Sequence, residues 1–355
     1  MNRFFRNIFG VVSVLFVVVS CSDEGRQFSV SSSLQGMLYS GDSVVFDVVS
    51  KRNKTPDSVV VEVDGKRLVY EHSNRCVLST EGLTLGDKTV AFLVYYKGKK
   101  EKNLRSLRIL SDLVPAQLQY NVVASYPHDT KAYTQGLQYE NGKFYESTGL
   151  YGESTLRYVD VKTGKTERKS DVEERYFAEG LTLVGDTLYQ LTWREQVVFL
   201  YDKKTFQRLG VVPISTEGWG MCFDGTYIIV SDGTEYLYFY EPQSFKLHHR
   251  VAVFDNLGAV SRLNELEFVA GFVYANIYTT DKIVKINPKN GKVAAEIDFS
   301  NLLPDQYRSE NIDVLNGIAW NPVSGHYYVT GKLWPRMFEV VLLFFKGKYD
   351  EDEEE

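Results

Sequence analysis

The chain has 355 residues, of which 44% are hydrophobic, 14% aromatic and 24% charged, a globular composition that excludes a disordered or collagen-like chain. Lys+Arg 40 against Asp+Glu 46 gives a formal net charge of -6, part of it in the run from Asp350 to Glu355, so nucleic acid is not an expected partner. Tyr 24 and Phe 21 with only 9 Pro favour pleated, half-buried surfaces and an all-β chain over helix-rich or doubly wound α/β folds.

In chain order, Arg3 and Arg6 precede an apolar run from Ile8 to Val19 that closes on Val18-Val19-Ser20-Cys21. The run is too short to span a membrane comfortably, since a helix needs about 20 apolar residues, and it has the layout of a signal peptide. A small residue followed by Cys resembles the bacterial lipobox, which makes residues 1–21 the expected leader and Cys21 the expected lipidation site. That places the protein in the bacterial cell envelope, with residues 22–27 a polar tether to the membrane. Cys76 and Cys222 fall in segments read as different domains, so no disulfide is expected. The five histidines show no zinc-ligand spacing.

From Phe28 to about residue 115, short runs alternate apolar and polar residues, as in Val44-Val45-Phe46-Asp47-Val48 and Val59-Val60-Val61-Glu62-Val63. Turn signals at Ser40-Gly41-Asp42, Asp64-Gly65, Leu85-Gly86-Asp87 and Lys97-Gly98 separate them, the pattern of a small immunoglobulin-like β-sandwich. No catalytic residue types cluster there, which suits a spacer or docking module.

Over residues 120–345 a different pattern repeats. Gln135-Gly136-Leu137, Glu179-Gly180-Leu181, Trp219-Gly220-Met221, Glu265-Leu266-Glu267 and Asn316-Gly317-Ile318 recur at roughly 40 to 50 residues, the length of a propeller blade. Each start is followed by a turn, and four of the units carry a second turn, the rhythm of four-stranded blades. The reading is a five-bladed β-propeller, with residues 346–355 an acidic tail. Blade starts face one another around a central axis. Their leading residues Gln135, Glu179, Trp219, Glu265 and Asn316 differ from one another, which is the asymmetry of a site rather than of a structural repeat.

The runs Tyr133-Thr134-Gln135-Gly136-Leu137, Tyr145-Glu146-Ser147-Thr148-Gly149-Leu150-Tyr151-Gly152, Phe177-Ala178-Glu179-Gly180-Leu181, Leu191-Thr192-Trp193, Glu217-Gly218-Trp219-Gly220, Leu263-Asn264-Glu265-Leu266-Glu267, Leu315-Asn316-Gly317-Ile318 and Thr330-Gly331-Lys332-Leu333-Trp334-Pro335 appear in order. From about Val122 to Val341 they resemble the plant and bacterial glutaminyl-peptide cyclotransferases, a family of five-bladed propellers. The resemblance implies cyclisation of N-terminal glutaminyl residues of peptides or proteins to pyroglutamate with loss of ammonia, and it implies no cofactor or metal. It puts Glu179 on the catalytic glutamate, Asn264 and Lys332 on further catalytic positions, and Gln135, Phe177, Trp193, Trp219 and Tyr278 on substrate-binding positions. Where Tyr278 stands the family usually has Trp, and where Tyr133 stands it commonly has Phe. Aromatic character is kept at both, which implies altered fit rather than lost activity.

The reaction asks for a group that takes a proton from the attacking α-amine and returns one to the departing nitrogen, because amide anion is a very poor leaving group. Ring closure is intramolecular, so proximity is largely built into the substrate. One carboxyl group can make both transfers. Indole walls raise its pKa toward the useful range and a nearby lysine lowers it. The amide oxygen of the tetrahedral intermediate needs fixed donors, for which Asn264, Gln135 and Lys332 all qualify. Two other readings compete. In a metal-dependent, lactonase-like propeller Glu179, Asn264 and Asp232 hold a cation, with chelator sensitivity as its mark. In a non-catalytic propeller the surface binds a peptide or glycan and releases no ammonia.

Overall fold

The computed structural model describes residues 26–343; the apolar leader with Cys21 and the acidic tail lie outside the described residues. The chain is all-β. Among the described residues its one helical element is a 3-10 turn at Asp305–Tyr307.

The first eight strands are β1 (Phe28–Ser32), β2 (Leu38–Tyr39), β3 (Ser43–Ser50), β4 (Ser58–Val63), β5 (Lys66–Glu71), β6 (Arg75–Ser79), β7 (Gly86–Tyr96) and β8 (Lys99–Leu110). They form a three-stranded sheet in the order β1-β3-β6 and a five-stranded sheet in the order β2-β8-β7-β4-β5. In β3 every second residue from Val44 to Ser50 is buried and those between are exposed or half-buried, because side chains on a strand point to opposite faces in turn. The inward set, with Phe46 tilted on Phe92 at 4.7 Å, makes an apolar core between the sheets. Gly86, which reads in the sequence as a turn residue, begins β7 instead. A Cβ there would lie 3.2 Å from the Phe254 ring, so its bareness lets the second region pack against the first. Cys76 and Cys222 are both free and buried.

β9 (Ala116–Pro127) leads into the second region. Three four-stranded sheets follow in chain order: β10 (Thr134–Glu140), β11 (Lys143–Thr148), β12 (Thr155–Asp160) and β13 (Thr166–Asp171); β14 (Ala178–Val184), β15 (Thr187–Thr192), β16 (Val197–Asp202) and β17 (Arg208–Pro213); then β18 (Met221–Phe223), β19 (Ile228–Ser231), β20 (Tyr236–Tyr240) and β21 (Leu247–Ala252). The remaining strands are β22 (Leu263–Val269), β23 (Phe272–Ile277), β24 (Lys282–Ile286), β25 (Val293–Asp298), β26 (Leu315–Asn321), β27 (His326–Gly331) and β28 (Arg336–Leu343). They join β9 in an eight-stranded sheet of order β22-β23-β24-β25-β9-β28-β27-β26. β9 runs antiparallel to β28 along most of its length and meets β25 only over residues 116–118, so it completes the group that begins with β26.

The first strands of the five groups touch in a closed cycle: β10 on β14, β14 on β18, β18 on β22, β22 on β26, and β26 back on β10. Five separate apolar clusters fill the spaces between successive groups. The closeness of this cycle explains the glycines that follow the repeat starts. A Cβ on Gly136 would lie 2.4 Å from the Leu181 nitrogen, one on Gly180 2.6 Å from the Met221 nitrogen, and one on Gly220 1.9 Å from the Asn264 oxygen. No side chain fits at such separations, so these positions require glycine.

Candidate active site

Four of the five first strands carry a register irregularity at the repeat start, between Thr134 and Gly136, Ala178 and Leu181, Leu263 and Leu266, and Leu315 and Ile318. A bulge puts an extra residue out of the ladder and turns its side chain away from the pleat. Gln135, Glu179 and Asn264 stand at three of these irregularities, and all three line one cavity of about 190 Å³ with Tyr133, Phe177, Trp193, Trp219, Tyr278 and Lys332. Every expected catalytic and substrate-binding residue is therefore brought together, and Tyr133 joins them on the wall.

The fourth repeat is corrected by one residue. Asn264, not Glu265, occupies the position equivalent to Glu179, and Glu265 stands where the other units have glycine. Asn264-Glu265-Leu266 aligns with Glu179-Gly180-Leu181 because the irregularity falls before Leu266 as it does before Leu181. The side chain of Glu265 instead crosses the centre of the cycle. Its carboxyl oxygens accept the backbone N–H of Leu137 at 3.2 Å and of Ile318 at 2.7 Å, tying β22 to β10 and β26. Asn316 is outside the cavity lining as well. Its Nδ2 donates to Thr134 O at 2.9 Å and to Gln135 Oε1 at 3.2 Å. That bond fixes the amide of Gln135 with its oxygen occupied, leaving its NH2 as the group offered to a ligand. Asp232 lies outside the lining, its carboxylate engaged with Thr234; the cavity wall holds a single carboxyl group.

That group is Glu179, 5% exposed. Burial drives its pKa well above the ordinary value, Lys332 opposes the rise, and the carboxylates of Glu195 and Glu217 add to it. Burial lowers the pKa of Lys332, partly offset by Glu179 and Asp313. The ammonium of Lys332 lies 4.6 Å from the centre of the Tyr133 ring and 5.0 Å from that of Tyr278, so two aromatic faces supply part of the solvation it has lost. Asn264 Oδ1 is buried and has no hydrogen-bond partner in the protein. A buried acceptor left empty costs about 1–3 kcal/mol, and one on a cavity wall is a place for a ligand's N–H.

The aromatic wall is a chain of edge-to-face contacts. Tyr133 meets Phe177 at 6.2 Å, Phe177 meets Trp193 at 5.6 Å, and Trp219 meets Tyr278 at 5.4 Å. The two indoles are held by a residue that the sequence did not single out. Glu217 Oε2 accepts from Trp193 Nε1 at 2.9 Å and from Trp219 Nε1 at 3.2 Å. Its only signal in the chain is a carboxylate two residues before a repeat-start indole, which carries no information until Trp193 arrives from the neighbouring sheet.

Comparison with known proteins identifies relatives of the chain. Residues 90–342 match the family model described as glutamine cyclotransferase. A glutaminyl-peptide cyclotransferase of Arabidopsis thaliana is 42% identical over 230 residues, covering 63% of this chain and 71% of the relative. The crystal structure of Myxococcus xanthus glutaminyl cyclase superposes with a TM-score of 0.60 at 38% identity, covering 64% of this chain and 98% of that one. The chain belongs to the glutamine cyclotransferase family.

Proposed function

We propose that the protein is a glutaminyl-peptide cyclotransferase, converting N-terminal glutaminyl residues of peptides or proteins to pyroglutamate and ammonia. The observation that carries this reading is the one carboxyl group of the cavity wall, the buried Glu179, set with an unfilled acceptor, a lysine and an aromatic wall. The relatives named above support it. We read the cycle of five strand groups as a five-bladed β-propeller whose last blade is closed by β9, and residues 28–115 as an immunoglobulin-like sandwich. The closed order of first-strand contacts supports the former, and the two sheets over one apolar core support the latter. The leader and Cys21 place the mature chain, by the same proposal, on a lipid anchor in the cell envelope.

In the mechanism, the aromatic wall holds the methylenes of the glutaminyl side chain while Asn264 Oδ1 accepts an N–H of the α-amine. The α-nitrogen attacks the δ-carbon, forming the N–Cδ bond, and passes a proton to the ionised carboxyl of Glu179. Negative charge gathers on the amide oxygen, where the NH2 of Gln135 and the ammonium of Lys332 are the available donors. Glu179 then gives its proton to the amide nitrogen, the Cδ–N bond breaks, and ammonia leaves. The acid ends as it began. Its raised pKa makes it a better acceptor for the α-amine proton than an exposed carboxylate is.

The test is ammonia release from a short Gln-initiated peptide by the purified chain, its Glu179→Gln variant and a chelator-treated sample. Release by the parent and its loss in the variant are expected. No release by the parent overturns the enzymatic reading, full activity in the variant moves the proton shuttle elsewhere, and chelator sensitivity favours a metal mechanism.

A further inference from the structure

The sandwich has two unlike ends. At one, Gly86 abuts Phe254, the Ser111 N–H donates to Asp255 O at 3.1 Å, and Lys292 pairs with Asp112, so this end is docked on the second region. The other end is reached along β7. Ten residues separate Gly86 from Tyr96, or roughly 34 Å of strand. Strand pairing defines what gathers there. Phe28 pairs with Ser50, Ser58 pairs with Tyr95, and Tyr96 pairs with Lys99, so the first described residues, the 51–57 loop and the β7–β8 turn share that end.

Seven cations stand on it: Arg26, Lys51, Arg52, Lys54, Lys97, Lys99 and Lys100, all exposed except the half-buried Lys54. Three carboxylates accompany them among the described residues: Asp57, Glu71 and Glu101. Asp57 is engaged by the backbone N–H of Lys97 at 2.6 Å, and Glu101 by those of Gln27 and Phe28, each at 3.0 Å. Arg26, Lys51, Arg52 and Lys54, with Gln27 and Ser50, line a concavity of about 230 Å³. Lys54 lies 5.1 Å from the centre of the Tyr96 ring and 3.5 Å from Gln27 Oε1. Even with Asp23 and Glu24 of the connecting segment added, this end is positive in a chain whose formal net charge is -6. Charge is segregated along the molecule.

We propose that this end of the sandwich docks on an anionic phospholipid surface, with headgroup phosphates received in the concavity lined by Arg26, Lys51, Arg52 and Lys54. Position argues for that occupant over a soluble polyanion. Cys21 precedes Arg26 by five residues, a reach of about 17 Å at full extension, so an anchor there holds this end against the headgroups. Cations near such a surface each contribute attraction, and the contribution disappears within a Debye length. The second region, joined to the opposite end, is thereby held away from the membrane. The inference uses the lipid-anchor reading for its geometry and is independent of the chemistry at Glu179.

The test uses the full chain carrying Cys21→Ala, which accepts no lipid, with phosphatidylcholine vesicles lacking or containing phosphatidylglycerol. Co-sedimentation should favour the anionic vesicles by about tenfold or more and lose that preference at high ionic strength. Lys51→Glu, Arg52→Glu and Lys54→Glu introduced together should abolish the preference while leaving ammonia release from a Gln-initiated peptide unchanged. Equal partition of the Cys21→Ala chain between the two vesicle types overturns the proposal, as does an undiminished preference in the charge-reversed chain. Stronger retention on immobilised heparin than on anionic vesicles also overturns it, assigning the end to an anionic polysaccharide. Absence of ammonia release with the vesicle preference intact refutes the cyclotransferase reading alone.

Discussion

The two regions bury different things. Between the sheets of the first region the interior is apolar, from Phe28 and Phe46 to Phe92 and Ile109. At the centre of the second region the chain buries Gln135, Glu179, Asn264, Glu265, Glu267, Asn316 and Lys332. An apolar interior is held by shape and hydrophobic burial alone. A polar interior is tolerated only where each group has a partner or a ligand supplies one. Glu265 is satisfied by two backbone amides from neighbouring strands, whereas the Asn264 oxygen on the cavity wall is not. Asn316 Oδ1 is also without a partner but lies off the cavity lining, so it is the unfilled acceptor together with its place on the cavity wall that marks Asn264 for binding.

The sharpest way to break the contrast is to make the two regions exchange behaviour. Glu179→Gln should lower kcat for ammonia release by about 10² to 10⁴ while leaving the melting temperature near that of the parent. Phe92→Ala should do the reverse, lowering unfolding stability by about 3–5 kcal/mol in denaturant titrations with kcat of the folded enzyme unchanged. Loss of kcat in Phe92→Ala would mean that the first region shapes the cavity.

Gly220→Ala comes next. Its Cβ has no room against Asn264, so thermal unfolding should show a loss of about 1–3 kcal/mol or more. Gly210→Ala on β17 meets nothing within 4 Å and should change stability by less than about 0.5 kcal/mol.

Glu217 separates positioning from electrostatics. In Glu217→Gln an acceptor for the two indoles survives but the negative charge that raises the pKa of Glu179 is gone. The acid limb of kcat/KM should therefore move to lower pH with KM little changed. In Glu217→Ala the indoles lose their shared acceptor, and KM should rise as well.

The smallest effect concerns Glu267, whose carboxyl is pushed up to about 8 by burial, against backbone hydrogen bonds from Trp320 and Phe268. Its folded pKa lies above the unfolded value, so the folded chain binds the extra proton between the two. Stability from this group is fully present at acid pH and is lost as pH rises through about 8. Glu267→Gln should flatten the decline of melting temperature with pH over that interval. An unchanged slope would place the titration elsewhere.

Much of this was legible in the linear chain. The strand-rich composition, the two patterns of alternation and the ordered repeat starts announced an all-β molecule in two regions, and dissimilar residues at those starts marked the site. Gln135, Glu179, Trp219, Asn264 and Lys332 all reach the cavity. Legibility failed where partners are distant in sequence. In the linear chain the fourth repeat starts one residue late because Glu265-Leu266 imitates the first residue of Glu179-Gly180-Leu181, and the strand register identifies Asn264 as the equivalent. Gly86 looked like a turn glycine because nothing local reports that Phe254 will press against it.

The sequence by itself determined which residues repeat, which runs alternate and which chemistry a glutamate, a lysine and indoles are able to perform, because these depend on side-chain type and short-range spacing. Only the tertiary structure decided that Glu217 serves two indoles and that Glu265 spans three strands. It also left the oxygen of Asn264 without a partner and gathered seven cations of the first region on the end remote from the second. Those outcomes depend on desolvation and on contacts between strands distant in the chain, and both come into existence only when the sheets of each region assemble.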